Sequence, residues 1–256
     1  VNTLGQTNAY PLIRDIVFDE IMYHPITETD EFIQDEYVKL TNRSAEPISL
    51  YDEETGQGWY FTQGITWQFS AQDQIPAHGS LVLVNFDPQD TLTLSQFMAA
   101  YGITQWPEEI LLCGPYSGKL SNSGETLTLV SPRLVDESET PVEFIVDTLT
   151  YGDSDPWPGK ADGKGDALRK DELNLYSNDP FNWSSKTPAP AALREFEAIP
   201  PELTHKLLDG RIILTFTGTL QSSSDLVEWN SLEKAKSPYT VTPGGIKKLY
   251  FRAVNP

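Results

Sequence analysis

The sequence predicts an all-β protein, a sandwich of short strands followed by a smaller β unit at the C-terminal end. Three observations lead there. Apolar and polar residues alternate over short runs, turn residues separate those runs at close intervals, and helical spacing fits a single stretch. Six Trp, eleven Tyr and eleven Phe supply the material for a packed core.

The first strand is expected over residues 12–22 (LIRDIVFDEIM), where apolar side chains alternate around Arg14 and Asp19. Residues 36–40 (EYVKL) alternate in the same way. Aromatic-rich strands are expected at 59–61 and 66–69, and SLVLV at 80–84 is a continuous apolar run. Thr41-Asn42-Arg43-Ser44, Glu54-Thr55-Gly56-Gln57-Gly58 and Pro76-Ala77-His78-Gly79 supply turns between them. Over 94–101, Leu94, Phe97, Met98 and Tyr101 fall on one helical face, which predicts two turns of helix.

Further strands are expected at 109–112, 126–130 and 142–151. Asn122, Ser123 and Gly124 reverse the chain before the second of them. The Gly-, Pro- and Asp-rich stretch 152–182 reads as weakly structured, and Pro188, Pro190, Pro200 and Pro201 mark a stiff connection over 186–202. This gives a first domain over 10–192, a linker over 193–202 and a small module over 203–256. Strands in the module are expected at 211–218, 239–242 and 248–254.

The chain carries 18 Lys and Arg against 37 Asp and Glu, a formal charge of −19. A surface that acidic repels phosphate backbones, so no nucleic-acid partner is expected. Runs of the roughly 18 apolar residues that a membrane helix needs do not occur, and no membrane insertion is expected. The opening VNTLGQTNAY lacks the basic and apolar regions of a signal peptide. Cys113, alone in the sequence, forms no intramolecular disulfide and reads as a small buried hydrophobe.

Catalytic chemistry finds little support. His24, His78 and His205 lack metal-ligand spacing, and Ser117 lies outside a nucleophile elbow. Asp19 with Glu20, and Asp35 with Glu36, are neighbours, and period-two alternation sends neighbours on a strand to opposite faces. The best metal candidate is the loop with Asp153, Asp155, Asp162 and Asp166, whose carboxylates and carbonyls offer the hard oxygens that calcium takes, against turn chemistry as the plainer reading. No other cofactor is expected. Trp157 and Trp183 are expected to plug the ends of the sandwich, with carbohydrate stacking as the alternative.

Five segments then carry a family resemblance in order: IVFDEIMYHP with DEYVKLTNRSAEPISLYD, GITWQFSAQDQIPAHGSLVLV, GPYSGKLSNSGETLTLVSP, VDTLTYGDSDPWPGKADGKGDALRK and NDPFNWSSKTPAP. Together they resemble the bacterial lamin-tail domain over residues 12–192. Departures are an acidic insertion at 27–35 and the stretch 56–59. LQSSSDLVEWNSLE and KLYFRAV resemble a short β module that ends many surface proteins of planctomycete and verrucomicrobial bacteria. The resemblance implies an immunoglobulin-like β-sandwich used for interaction and no catalysis by the domain itself.

The expected function is therefore a non-catalytic, secreted or cell-surface interaction or structural module that binds a protein or glycan partner. The alternative is an accessory fragment of a larger secreted enzyme, hydrolase or spore-coat-kinase-like, which positions a catalytic domain. A metal-assisted hydrolase using the acidic loop is a third reading.

Overall fold

The computed structural model describes residues 12–26, 34–135, 140–196, 201–208, 210–232, 234–242 and 249–254. Residues 27–33 of the acidic insertion and Lys248 at the start of the expected last strand lie outside the described residues. The chain divides into two compact units, Val1–Glu195 and Phe196–Pro256.

In the first unit the strands are β1 (Ile16–Met22), β2 (Tyr37–Asn42), β3 (Ile48–Ser49), β4 (Tyr51–Asp52), β5 (Gln57–Gly58), β6 (Tyr60–Gln63), β7 (Gln74–Ile75) and β8 (Ser80–Val84). The helix α1 (Thr91–Ala100) follows, then β9 (Ile110–Cys113), β10 (Gly124–Arg133), β11 (Val142–Gly152), β12 (Ala167–Lys170) and β13 (Trp183–Lys186). Six strands form one sheet in the order β13-β12-β1-β2-β8-β9, and β11-β10-β6 form the opposing one. Phe18, Ile21, Val38, Leu40, Leu81 and Leu83 of the large sheet meet Phe61, Leu127, Leu129, Leu149 and Tyr151 of the small one in the main core. This is an all-β sandwich.

The large sheet is buried on its outer face as well. There Met22, Tyr37, Val82 and Val84 pack beneath Phe97 of α1, which explains why SLVLV is apolar throughout rather than alternating. The helix starts three residues earlier than spacing alone predicted, because Asp90 caps it, its side chain accepting from Leu92 N and Thr93 N. It forms the crossover between β8 and β9, which pair in parallel, the one departure from an otherwise antiparallel sheet.

The expected strand at 66–69 is instead two isolated bridges, Thr66 with Ser117 and Gln68 with Tyr60. Its backbone serves mainly to support Trp59. Phe69 N donates to Trp59 O at 2.8 Å, and a Cβ on Gly58 would stand 1.6 Å from the Phe69 carbonyl oxygen. The stretch 152–182, expected to be weakly structured, contains β12, which lies between β1 and β13. Four residues between loops are too few to show alternation. Trp183 is buried with its indole N–H on Ser177 O at 2.8 Å, and Trp157 packs half-buried beside it, ring centroids 6.4 Å apart.

The outer edge of β11 is closed by side chains. Arg14 Nε donates to Ile145 O at 2.9 Å, Asp147 accepts from Thr148 N, and Asn178 accepts from Thr150 N at 2.8 Å. Edges blocked in this way resist addition of a further strand.

The second unit contains β14 (Leu203–Leu208), β15 (Arg211–Phe216), β16 (Thr219–Ser223), β17 (Asn230–Ser231), β18 (Tyr239–Val241) and β19 (Tyr250–Val254). They form two three-stranded sheets, β14-β15-β18 and β17-β16-β19, around Leu214, Phe216 and Leu220. In the turn after β16, Asp225 accepts from Val227 N and Glu228 N, while Arg252 of β19 covers the Trp229 ring at 4.2 Å.

Candidate functional site

The acidic loop, with Asp153, Asp155, Asp162 and Asp166, lies between β11 and β12. Among the described residues, no three His, Cys, Asp or Glu side chains are arranged to hold a metal ion. Asp162 instead accepts from His24 Nδ1 at 2.7 Å, both side chains about one-third exposed. Gly163, at φ +63°, lets the imidazole lie where a Cβ would meet it at 3.0 Å. Asp162 and Asp153 both help hold the Tyr23 hydroxyl protonated, although burial contributes most. Asp155 is exposed and Asp166 half-buried. Calcium takes six to eight oxygens, so millimolar calcium is expected to leave the thermal midpoint unchanged. A rise in midpoint that disappears in a D153N/D162N double variant would restore the ion to this loop.

Asp19 and Glu20 do not lie on opposite faces. The register of β1 against β2 shifts between Phe18 and Glu20, and this bulge brings both carboxylates to the outer face of the large sheet. Asp19 accepts from Arg194 Nε at 2.7 Å and from Thr41 Oγ1 at 2.8 Å. Glu20 accepts from Ala189 N at 2.8 Å, from the Tyr37 hydroxyl and from Arg169 Nε. Lys39, between them, donates to Ala189 O at 3.2 Å and to Ala192 O. The start of the expected linker is thus fastened to the sheet. Asp19 is 1% exposed and Glu20 wholly buried, so this cluster fastens chain to chain and presents no carboxylate pair to a substrate. Burial lowers the Lys39 pKa against the opposing pull of Asp19 and Glu20.

Glu36 is buried beneath the loop 114–124, where Oε2 accepts from Tyr116 OH at 2.8 Å and Leu120 N at 2.9 Å. Tyr151 OH donates within the same loop, 3.0 Å from both Ser121 O and Glu125 Oε1. Asp35 precedes β2, and its carbonyl accepts from Tyr101 OH. Ser117 is joined through its backbone to Thr66, 2.9 Å in each direction. Cys113 is buried, and that burial, with Asp73 beside it, pushes its thiol pKa up and away from reactivity. His78 sits in a turn with its N–H on Ser44 O, and His205 is exposed on β14.

At one end of the sandwich a cleft of about 150 Å³ is lined by Arg14, Arg133, Trp59, Phe144, Ile48 and Val146, with Asp15 and Ser131 also at its walls. Arg14 is fixed from two sides, its Nε on Ile145 O and its own carbonyl accepting from Arg43 at 3.1 Å. Arg133 Nε donates to Ser131 Oγ at 3.3 Å, and its guanidinium lies 5.8 Å from the centre of the Phe144 ring. Neither arginine stood out in the sequence, because they are 119 positions apart and only the packing of one sheet on the other brings them together.

No family model, curated protein sequence or solved structure matches this chain.

Proposed function

We propose that the chain is a non-catalytic interaction module of a secreted or cell-surface protein, an immunoglobulin-like sandwich of lamin-tail type, which grips a carboxylate on a glycan or protein partner. The observation that carries this reading is the cleft in which Arg14 and Arg133 stand against an apolar wall of Trp59, Phe144, Ile48 and Val146. Guanidinium forks match carboxylates in a bidentate manner, and a flat apolar wall beside them suits the body of the group that bears the charge. The negative charge of the rest of the unit opposes approach of an acidic partner. At physiological salt that opposition is screened beyond about 8 Å, so the cleft's own charges decide close binding, two guanidinium groups against the single carboxylate of Asp15.

The test uses polygalacturonate, polyglutamate and neutral dextran, which present a carboxylate on a saccharide, on a peptide and not at all. Retention on one of the two acidic polymers, none on dextran, and roughly tenfold to hundredfold weakening in R14A and R133A are expected, since a hydrogen bond to a charged group contributes about 1.5–3 kcal/mol. Equal retention on dextran, or unchanged affinity in both variants, contradicts the reading.

A further inference from the structure

A buried amine and a buried carboxyl face each other across the sandwich. Lys170 on β12 of the large sheet places Nζ 3.9 Å from Asp147 Oδ2 on β11 of the small one, the lysine side chain wholly buried and the aspartate 11% exposed. Ser177 lies between them. Its hydroxyl accepts from Lys170 Nζ and donates to Asp147 Oδ2 at 2.5 Å. Backbone donors hold both carboxyl oxygens, Phe18 N on Oδ2 and Thr148 N on Oδ1, each at 2.9 Å. The Trp183 ring lies beside the ammonium, 5.8 Å from centroid to Nζ.

A second buried lysine shows what is different here. Lys39 is also 3.9 Å from an aspartate, Asp19. There two backbone carbonyls accept from the Lys39 Nζ, and the guanidinium of Arg194 donates to Asp19. Around Lys170, burial lowers the amine pKa to about 8, with Asp147 and Asp19 opposing and Arg43 and Arg194 assisting. Burial likewise raises that of Asp147. Both changes favour the neutral pair, an amine with a free lone pair and a carboxylic acid whose hydroxyl departs as water.

We propose that Lys170 and Asp147 condense within the folded chain into an intramolecular amide that covalently joins the two sheets. The Nζ lone pair attacks Cγ of Asp147, forming the N–C bond. Negative charge develops on the carboxyl oxygens, where the N–H groups of Phe18 and Thr148 already point. One proton leaves Nζ, passes through the Ser177 hydroxyl and reaches Oδ2. The Cγ–Oδ2 bond then breaks, and Oδ2 departs as water with its two protons. Oδ1 remains as the amide carbonyl on Thr148 N–H. Atoms and charge balance with no oxidant or co-reactant. Fixed placement of reactants supplies effective concentrations of about 10⁵–10⁸ M, which is what acid and amine lack in free solution.

The experiment is intact-mass measurement of the purified full chain, followed by peptide mapping. The expected wild-type mass is lower than the sequence sum by one water, with a branched peptide joining the segments that carry Lys170 and Asp147. D147N is expected to form the same amide with loss of one ammonia. K170R and D147A are expected at full mass, and S177A at a mixture that matures slowly. A wild-type chain at full mass after prolonged incubation, with the two segments recovered separately, overturns the proposal whether or not the variants fold. So does a water loss that maps to Asp162-Gly163 or Asp209-Gly210, whose sequences favour a cyclic imide.

Discussion

Replacing Glu20 by alanine is expected to destabilise the first unit by about 3–5 kcal/mol, the cost of breaking a buried ion pair from one side. The wholly buried carboxylate is the common acceptor for Arg169, Tyr37 and the backbone N–H of Ala189. Removing it leaves three donors without their acceptor and takes away the anion that compensates Arg169, whose side chain is 24% exposed. Typical domains are stable by only 5–15 kcal/mol, so the urea midpoint falls by a large fraction. E20Q keeps an acceptor for Tyr37 and Ala189 N and is expected to lose less. A midpoint for E20A within about 0.5 kcal/mol of wild type, the range of an ordinary surface change, would show that the cluster does not hold the segment 187–194.

Alkali is expected to unfold the first unit steeply above about pH 10. Burial raises the pKa of Tyr37, Tyr116 and Tyr151, helped by Glu20, Glu36 and Glu125 respectively. An acid whose folded pKa lies above its unfolded value near 10 contributes stability that is fully present below pH 10 and lost as pH rises beyond it. Each such group removes about 1.4 kcal/mol per pH unit in that window, so the three together remove about 4 kcal/mol per unit. Lys39 works the other way. Its folded pKa is lowered, so it adds stability as pH rises towards the ordinary lysine value near 10.5 and offsets part of the loss until then. Tyrosinate absorbance and circular dichroism recorded together are the check. Tyrosinate from these three residues is expected to appear only as the β signal collapses. Ionisation of these three near pH 10 with the fold intact, read as a difference from their phenylalanine variants, contradicts the burial described above.

Strands β1, β2 and β10 were legible in the sequence from their alternation, and β8 from its continuous apolar run, the mark of a strand buried on both faces. Helix α1 was legible from the spacing of Leu94, Phe97 and Tyr101, and its true start lay in Asp90, a cap that periodicity does not register. What stayed hidden has a physical reason in each case. One inserted residue in β1 turns Asp19 and Glu20 to the same face, and its only trace in IVFDEIM is that core residues Phe18 and Ile21 stand three positions apart rather than two. The β12 strand, Ala-Leu-Arg-Lys, is four residues long, too short to show a period, and ends on two charged side chains at a position buried by its neighbours. The Arg14–Arg133 cleft and the Lys170–Asp147 pair are products of topology: the first joins residues 119 positions apart, the second residues of consecutive strands that the fold assigns to different sheets. The acidic loop shows the converse, since carboxylates close in sequence form no metal-holding group of three among the described residues and Asp162 turns to His24.

The measurement that most directly tests carboxylate recognition at the end of the sandwich is a titration of the isotope-labelled chain with a galacturonate oligomer and with a glutamate oligomer, followed by amide and indole chemical shifts. One of the two acids is expected to move a compact set of signals around Arg14, Trp59, Arg133 and Phe144, saturably, and R14A to shift the midpoint of that response to roughly tenfold to hundredfold higher concentration. Unmoved signals at those four residues with both oligomers, or shifts centred instead on the loop of Asp153 and Asp162, would contradict it.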